Sequence, residues 1–323
     1  MDREIAMSKY KEDIAVILPG FRTHMANHIQ ERSQQLESTI KAAVDELGDR
    51  MVKQQKEYVS FLYISMLKTN LIQKNYQFLL QAANFRWYLD DELIEVYFSA
   101  EDLLEPLEKL WNELSEKSHI YRGAINQYDI QHIIFEELSF IDAVISQVLR
   151  YQLRNWEEKE IFSKITLSPY WFLKWGEYQD QTEFIIHTDR TEKDESIWRR
   201  ELKKAIHKPE TMVFSYWYRG EYEDRSIKAL DMRFIVFEDS KLKGIEFQQC
   251  NMEGSKFRNC NIAGCSFEGC NLYGADFTNC TFKHVSFPHA ELEEAIFPAH
   301  SVPFLDLTPE QLQTIRLAKE EIG

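Results

Sequence analysis

The sequence of 323 residues contains no long hydrophobic run. The longest apolar stretch, Tyr58 to Leu67, has ten residues, whereas a helix needs roughly 18–20 to span a bilayer. The first residues are charged, and no apolar segment with a small-residue cleavage site follows them. These absences predict no membrane span and no signal peptide, and therefore a cytoplasmic protein.

Positive charge is also in short supply. Lysine and arginine number 38 against 53 aspartates and glutamates, which gives a formal net charge of −15. Direct nucleic-acid binding relies on neutralising phosphates, so this balance argues against it. It is compatible with a basic or DNA-binding protein as partner, with mimicry of a nucleic acid, or simply with a solvated acidic surface.

Catalytic and cofactor-binding motifs are missing as well. The chain has no GxxxxGK(S/T), GxGxxG, HExxH, GxSxG or paired CxxC motif. His24, His28 and Glu31 have a helical spacing that could hold a metal, and His187 lies two residues before Asp189. Chance placement explains both groups better, because neither has a supporting ligand or orienting group nearby. The sequence predicts no catalytic residue, no metal, no cofactor and no enzymatic activity.

What the chain has instead is a strict period of five in its C-terminal third. Neither a helix of period 3.6 nor a strand of period 2 produces this spacing. A second series of mostly small residues precedes the first by two positions. A five-residue unit that turns the chain by a quarter circle accounts for both series. The large apolar residues at this spacing are Met232, Phe237, Leu242, Phe247, Met252, Phe257, Ile262, Phe267, Leu272, Phe277, Phe282, Phe287, Leu292 and Phe297.

These units resemble the repeat of the pentapeptide-repeat family, A(D/N)LXX. Residues 270–274 (CNLYG) and 275–279 (ADFTN) are close copies of it. The resemblance covers about residues 232–299 and implies a right-handed quadrilateral β-helix whose central and small residues point inward. Four units would then form one coil, so residues twenty apart would stack in columns such as Phe247, Phe267 and Phe287.

All five cysteines occupy the small inward position of the repeat. A metal or redox cluster is one interpretation, and small buried residues are the other. Stacked side chains run parallel and give poor disulfide geometry, so we expect buried free thiols. The five are Cys250, Cys260, Cys265, Cys270 and Cys280.

The residues before the repeat show helical patterns. Ile29, Leu36, Ile40, Ala43 and Leu47 form a short heptad-like seam, which fits helices packed within one chain or an intermolecular coiled coil. Further amphipathic segments are predicted at about 56–83, 90–116 and 127–163. Residues 166–230 are rich in tryptophan and tyrosine, and we expect them to cover the first coil of the β-helix.

A capping helix is predicted after the last repeat. Thr308 at the N-cap, Pro309 at the first helical position and Gln311 at N3 form a capping box. Leu312, Ile315 and Ile322 would give that helix an apolar stripe. Its position suits a cover for the open edges of the last coil, or a dimer contact as in some relatives.

The predicted fold class is therefore α+β and multidomain. A mostly α-helical N-terminal domain precedes the β-helix, and a capping helix follows it. The segments are a helical bundle or coiled-coil-like domain at 1–165, an aromatic-rich connecting segment at 166–230, the β-helix at 231–300 and the C-terminal capping helix at 301–323.

The stacking scheme also predicts which charges share a face of the β-helix. Lys241, Lys243 and Lys283 fall on one face. The candidate partner-binding residues fall on another, because an acidic strip would suit a basic partner. They are Glu253, Tyr273, Glu291, Glu293 and Glu294.

Three functions remain open on these grounds. The favoured hypothesis is a non-catalytic adaptor or regulator that uses the β-helix and the helical domain to bind proteins. The family resemblance adds a DNA-mimicking modulator of a type II topoisomerase such as gyrase. The third is an enzyme with an unrecognised site in residues 1–230. A homodimer through the helical domain or the C-terminal helix is also left open.

Overall fold

A computed structural model of the chain describes residues 2–156, 160–223 and 225–318. The chain divides into two compact units, Met1–Ile186 and His187–Gly323. The first combines helices with a sheet, and the second contains a β-helix of about five turns, so the α+β fold class is confirmed. The division at 186/187 replaces the expected boundaries at 165/166 and 230/231, because strands of one unit lie on both sides of each expected boundary.

The helices of the N-terminal unit surround an apolar core. The predicted seam is buried in that core: Leu36, Ile40, Ala43 and Leu47 lie on one helix and Ile29 lies on the preceding one. The seam therefore packs within the chain. None of the helices in the described ranges is long and apolar enough to cross a membrane. The helices are α1 (Arg3–Ile14), α2 (Leu18–Glu31), α3 (Ser33–Gln54), α4 (Lys68–Ile72), α5 (Glu101–Ser118) and α6 (Gln127–Gln152).

A five-stranded mixed sheet completes this unit, and it corrects two of the predicted helices. The segment 56–83 forms two antiparallel strands joined by the short α4, and 90–116 begins with a strand before α5. Aromatic and β-branched residues in the first strand favour extended structure and alternate between two faces. The strands are β1 (Val59–Met66), β2 (Gln77–Ala83), β3 (Ile94–Ser99), β4 (Leu167–Glu177) and β5 (Thr182–Asp189). Their order in the sheet is β3-β2-β1-β4-β5.

The two faces of the sheet differ in chemistry. Leu62, Ile64 and Met66 of β1 point into the core that the helices share. The intervening Tyr63 and Ser65 point to the other face, as the period of two requires. β1 runs parallel to β4, although about a hundred residues separate the two strands in the sequence. The chain segment that connects these neighbouring strands includes α5 and α6.

The β-helix begins before residue 231. Strands at Tyr216–Tyr218, Glu221–Glu223 and Ser226–Lys228 pair in parallel with strands twenty residues later, so the first coil lies in the segment expected to be a connector. The period of five does continue backwards through Ile227 and Tyr222. The strands are β6 (Tyr216–Tyr218), β7 (Glu221–Glu223), β8 (Ser226–Lys228), β9 (Val236–Glu238), β10 (Lys241–Lys243), β11 (Glu246–Gln248), β12 (Lys256–Arg258), β13 (Asn261–Ala263), β14 (Ser266–Glu268), β15 (Thr281–Lys283) and β16 (Ile296–Phe297).

Stacked phenylalanines fill the interior of the β-helix in the predicted columns. Phe247, Phe267 and Phe287 stack with ring centroids 5.0 and 5.2 Å apart. Rings of the facing column meet them edge to face, with Phe257 5.9 Å and Phe277 6.1 Å from Phe267. Each buried ring contributes roughly 1.5–3 kcal/mol by transfer from water. The interior is therefore a core packed with side chains.

The cysteines are buried free thiols on the inward side of the coils. Several thiols donate to a carbonyl of the preceding coil, as Cys260 does to Phe237 at 3.3 Å and Cys280 to Phe257 at 2.9 Å. Burial raises the pKa of the Cys265 thiol and that of Cys280. These groups are therefore weak nucleophiles in the folded protein.

An amphipathic helix, α7 (Glu195–Ala205), covers the N-terminal end of the β-helix. Its Trp198 is fully buried and meets the ring of Trp217 edge to face at 4.7 Å. The same indole lies 5.6 Å from Phe237, the first phenylalanine of its column. Trp171 and Trp175, by contrast, lie in the core of the N-terminal unit. The tryptophans of segment 166–230 are therefore divided between the two units.

The C-terminal end carries a shorter helix than predicted. The capping box of Thr308 and Gln311 forms, but α8 spans only Pro309–Thr314. The chain then resumes the coil, because β17 (Arg316–Leu317) pairs in parallel with β16 at the usual spacing of twenty. The Gln311 amide donates to two carbonyls of the coil beneath, so the segment does cover that edge. Ile322 of the predicted stripe lies outside the described residues.

Candidate binding surfaces

The predicted partner-binding residues lie together on one face of the β-helix. Glu253, Tyr273 and Glu293 stack on three successive coils, and backbone hydrogen bonds of 2.9 Å to the carbonyls of Tyr273 and Glu293 join those coils. Glu291 lies beside them through its bridge to the preceding coil. Glu294 sits at the corner and pairs with Arg316 of the terminal strand. We call these five residues the acidic face.

Negative charge on the acidic face increases towards the C-terminal coils. The column of Glu253 begins with Arg233, which pairs with Asp231 at 2.8 Å. Glu253 and Tyr273 are half-buried and already interact with neighbouring groups. Glu291 and Glu293 are exposed. A basic group approaching this face would therefore meet its strongest attraction at the last full coil.

Glutamates of the first coil largely neutralise the predicted lysine face. Lys241 pairs with Glu221 at 2.5 Å, and Lys243 pairs with Glu223 at 3.3 Å. Both glutamates belong to the first coil, in the segment that was predicted to be a connector. The four side chains form a ladder of opposite charges up the wall of the β-helix.

A basic pocket of about 500 Å³ lies between α7 and the first coil. Arg199 and Lys203 approach it from α7, and Arg225 and Lys228 approach it from the coil. Glu195 bridges two of these cations, 2.6 Å from Arg199 and 3.3 Å from Arg225. The pocket was not predicted from the sequence, although extending the period of five backwards places β8 in the first coil.

The N-terminal unit contains a larger cavity of about 560 Å³ on the face of the sheet away from the helices. Gln81, Tyr63 and Lys174 are aligned on β2, β1 and β4 and form one row across its floor. The indole of Trp87 stacks on Tyr63 with centroids 6.0 Å apart and planes 13° from parallel. We call this cavity the aromatic pocket. It lies in a region predicted to be helical, and the alternation of residues 61–66 was the available signal.

Lys174 has an unusual setting in the aromatic pocket. Its ammonium lies 4.4 Å from the ring centroid of Phe184 and 5.2 Å from that of Phe172. Burial lowers the pKa of this lysine, because the charged form has lost part of its hydration. It forms no ion pair with any residue that the structure describes. The π faces therefore offset only part of its desolvation.

A buried ion pair holds the loop that carries Trp87. Lys56 and Asp90 have side chains only 1% exposed and lie 2.6 Å apart. The Asp90 carboxylate also accepts from the backbone amides of Asn84 and Glu92. Burial opposes ionisation, but the hydrogen bonds from Lys56 and the two amides hold the pKa of Asp90 below its ordinary value. The loop is thus fixed at both ends.

Close approach of a hairpin forms one wall of the aromatic pocket. Gly176, the last residue but one of β4, has a φ of 158°, and a Cβ there would lie 2.2 Å from the carbonyl oxygen of Gln181. The missing side chain lets residues 177–181 fold back over the sheet. Glu177 in this turn pairs with Lys68 at 2.5 Å, so its charge is already compensated.

The histidine groups that suggested metal or acid–base chemistry have structural contacts. His28 is buried and bonds to the Asp102 carbonyl at 2.8 Å, while its other ring nitrogen faces Arg32. The Nδ1 atom of His187 bonds to the Phe214 carbonyl at 2.8 Å. Within residues 2–156, 160–223 and 225–318, no group of three or more histidine, cysteine, aspartate or glutamate side chains is arranged to hold a metal.

Comparisons with known proteins agree with the geometry of the second unit. A family described as the pentapeptide repeat region matches residues 231–297. No curated protein is similar to the chain.

The solved structures similar to this chain include several pentapeptide repeat proteins. Rfr23 from the cyanobacterium Cyanothece 51142 is 16% identical with a TM-score of 0.18, covering 24% of this chain and 58% of that one. A thylakoid lumen protein of Arabidopsis thaliana is 10% identical with a TM-score of 0.23, covering 36% and 86%. QnrB1, a plasmid-mediated fluoroquinolone resistance protein, is 10% identical with a TM-score of 0.14, covering 33% and 79%. The chain thus spans little more than half the length of Rfr23.

The family match and the coiled strands with a spacing of twenty coincide on the same residues. Residues 231–297 of this chain are a pentapeptide-repeat region.

Proposed function

We propose that this protein is a non-catalytic adaptor or regulator that binds a basic protein partner on the acidic face of its β-helix. The observation that carries the proposal is the filled interior. Stacked rings occupy the axis of the coils, so a partner of the β-helix would contact its outer walls. Those walls are rigid, because each coil is hydrogen-bonded to the next.

The acidic face suits a partner that offers lysine or arginine side chains. Glu291 and Glu293 are exposed side by side, and the Tyr273 ring beside them supplies apolar contact area. Charges at the rim of an interface mainly accelerate association, so binding should weaken as salt is added. We place this interaction in the cytoplasm, where five unpaired thiols stay reduced.

A matched pair of variants tests the proposal. Glu291→Lys with Glu293→Lys should weaken capture of the partner by at least ~tenfold and flatten its salt dependence. Glu246→Lys with Glu268→Lys makes the same charge change on another wall and should leave capture unchanged. Partners recovered by crosslinking to wild type would be quantified with both variants. Equal loss in the two variants, or capture that salt does not weaken, would contradict a specific acidic face.

The DNA-mimic alternative requires a regular line of negative charge, since DNA carries one charge per ~1.7 Å of axis. The column Arg233, Glu253, Tyr273, Glu293 is interrupted by a cation and a neutral ring. This favours a partner with a smaller footprint. A supercoiling assay with purified gyrase separates the two, because a mimic should inhibit the enzyme or relieve a gyrase poison at tens of micromolar, and the charge reversal should abolish the effect.

Self-association belongs to the same proposal. Leu312 and Leu317 at the C-terminal end are 46% and 57% exposed. An apolar end of this kind suits a second copy of the chain, and the helical region stays an alternative contact. Sedimentation of wild type against Leu312→Ser with Leu317→Ser would detect a dimer that depends on this end.

A further inference from the structure

We propose that the aromatic pocket of the N-terminal unit binds a small planar ligand that carries one anionic group. The ring would lie against Tyr63 and Trp87, and the anion beside Lys174. This site is independent of the acidic face, so the proposal does not depend on the adaptor function.

The size and lining of the pocket fit such a ligand. Its volume of about 560 Å³ lies within the range of ligand sites, roughly 300–1,000 Å³. Aromatic walls with a few polar groups are typical of sites that bind rings. The hydroxyls of Ser65 and Thr182 line the same space.

Trp87 is held in a conformation that folding alone does not favour. Its φ of 55° lies in the left-handed region, which is unfavourable for a bulky residue. The buried pair of Lys56 and Asp90 maintains the loop on which it lies. The consequence is an indole that is half exposed at the pocket and parallel to Tyr63. Strain maintained in this way is characteristic of binding sites.

Lys174 determines the charge of the ligand. It is the cation among the residues that line the pocket, and no described carboxylate pairs with it. Glu177 in the lining is paired with Lys68, and Asp180 lies exposed in the hairpin. Glu95, next to the row, accepts a hydrogen bond from Gln81 at 2.8 Å. An incoming anion would therefore supply the counter-charge that the half-buried ammonium lacks.

Titration calorimetry on the full chain tests the proposal with two matched pairs of probes. The first pair is 2-naphthoate and the neutral 2-naphthamide, and the second is AMP and the neutral adenosine. We expect the charged member of at least one pair to bind at least ~tenfold more tightly than its neutral counterpart. Preference for 2-naphthoate would identify a carboxylate ligand, and preference for AMP would identify a phosphate ligand.

Three lysine variants assign the preference to this site. Lys174→Gln should remove the preference for the charged probe, while Lys174→Arg should retain most of it. Lys41→Gln removes an exposed lysine of the same unit and should change nothing. Trp87→Ala should weaken both members of a pair, because the ring contact is lost for each. Thermal unfolding of every variant checks that the fold persists.

The proposal is overturned if wild type binds neither charged probe better than its neutral counterpart at ~1 mM. It is also overturned if Lys174→Gln and Lys41→Gln have the same effect. Since both lysine-to-glutamine changes remove one charge, a general electrostatic effect would appear in both.

Discussion

The β-helix and the N-terminal unit differ in how their contacts are distributed along the chain. In the β-helix, a core residue packs on the residue twenty positions away, as Phe247 does on Phe267. In the N-terminal unit, Phe61 of β1 lies beside Phe172 of β4. A constant spacing repeats the same sequence requirement at every coil, so the pattern is visible in the sequence alone. A single distant pairing leaves no such repetition.

The largest expected effect concerns how slowly the buried cysteines of the β-helix react. All five cysteines lie in the β-helix, so their reaction with a thiol reagent reports the opening of that unit. Because opening must precede reaction, labelling in native protein should be slower than in denatured protein by at least ~1,000-fold. Mass spectrometry at timed intervals would measure this. Rapid native labelling of several thiols would mean that the coils open easily and are less rigid than their hydrogen bonding indicates.

Removing a central phenylalanine ring should destabilise the β-helix about as strongly as a single core substitution can. Phe267→Ala leaves a cavity between two stacked rings and should lower the free energy of unfolding by about 3–5 kcal/mol. Phe282→Ala is the matched control, because Phe282 is only half-buried and should cost less. Denaturant titration gives both values. Equal losses would show that the phenylalanine columns are not the stabilising feature.

The N-terminal unit should instead be sensitive at a single pair of charges. Lys56→Met removes the cation and leaves the Asp90 carboxylate buried without it, which should cost about 3 kcal/mol. The double variant Lys56→Met with Asp90→Asn should recover part of this loss, because no buried charge remains and the asparagine oxygen still accepts a hydrogen bond from the loop. Denaturant titration of the three proteins gives the coupling. If the double variant is less stable than the single one by a further full increment, the ion pair is not the cause.

The contrast between repeated and single contacts also explains which parts of the structure could be predicted from the sequence. The fold of residues 231–297 and the burial of the cysteines followed from the period of five together with the resemblance to the pentapeptide-repeat family. The first coil was missed because Trp217 and Tyr222 are unlike the family's leucine or phenylalanine, although they keep its spacing. The terminal helix was predicted too long, because a capping box marks where a helix begins and not where it ends.

The candidate sites show the same contrast. The acidic face could be assembled from sequence because its members are one coil apart. The aromatic pocket could not, since Gln81, Tyr63 and Lys174 become neighbours only through the pairing of β2, β1 and β4. The segment that contains Tyr63 was predicted to be a helix, although its alternating pattern fits a strand. Non-local pairing thus conceals a site that a repeat would reveal.

A smaller effect concerns the pH dependence of the N-terminal unit. Burial raises the pKa of Asp142 to about 6, and the carboxylate of Glu183 adds to this. A carboxyl group with a raised pKa binds its proton more tightly in the folded state. Its contribution to stability is therefore present below its unfolded pKa and is lost as pH rises through the folded pKa.

Asp142→Asn should remove this loss. At pH 7.5 the variant should be more stable than wild type by about 1–2 kcal/mol, after allowance for partial exposure of the group. At pH 4 the advantage should have disappeared. Denaturant titrations at the two pH values measure the difference. An advantage that does not vary with pH would mean that packing, and not ionisation, distinguishes the two side chains.

The smallest expected effect lies on the wall of the β-helix and separates its surface from its core. The pairs of Lys241 with Glu221 and Lys243 with Glu223 follow the same spacing as the buried columns, so they could be thought to fix the register of the coils. Their side chains are about half to two-thirds exposed, and exposed pairs are screened by salt. Lys241→Ala with Lys243→Ala should therefore leave the thermal midpoint within experimental error of wild type, at low and at high salt. The buried rings would then hold the register without help from the ladder. A fall in the thermal midpoint as large as that caused by Phe282→Ala, and abolished by high salt, would instead show that the ion pairs help to fix the register of the coils. The surface charges would then contribute to the register as the buried rings do.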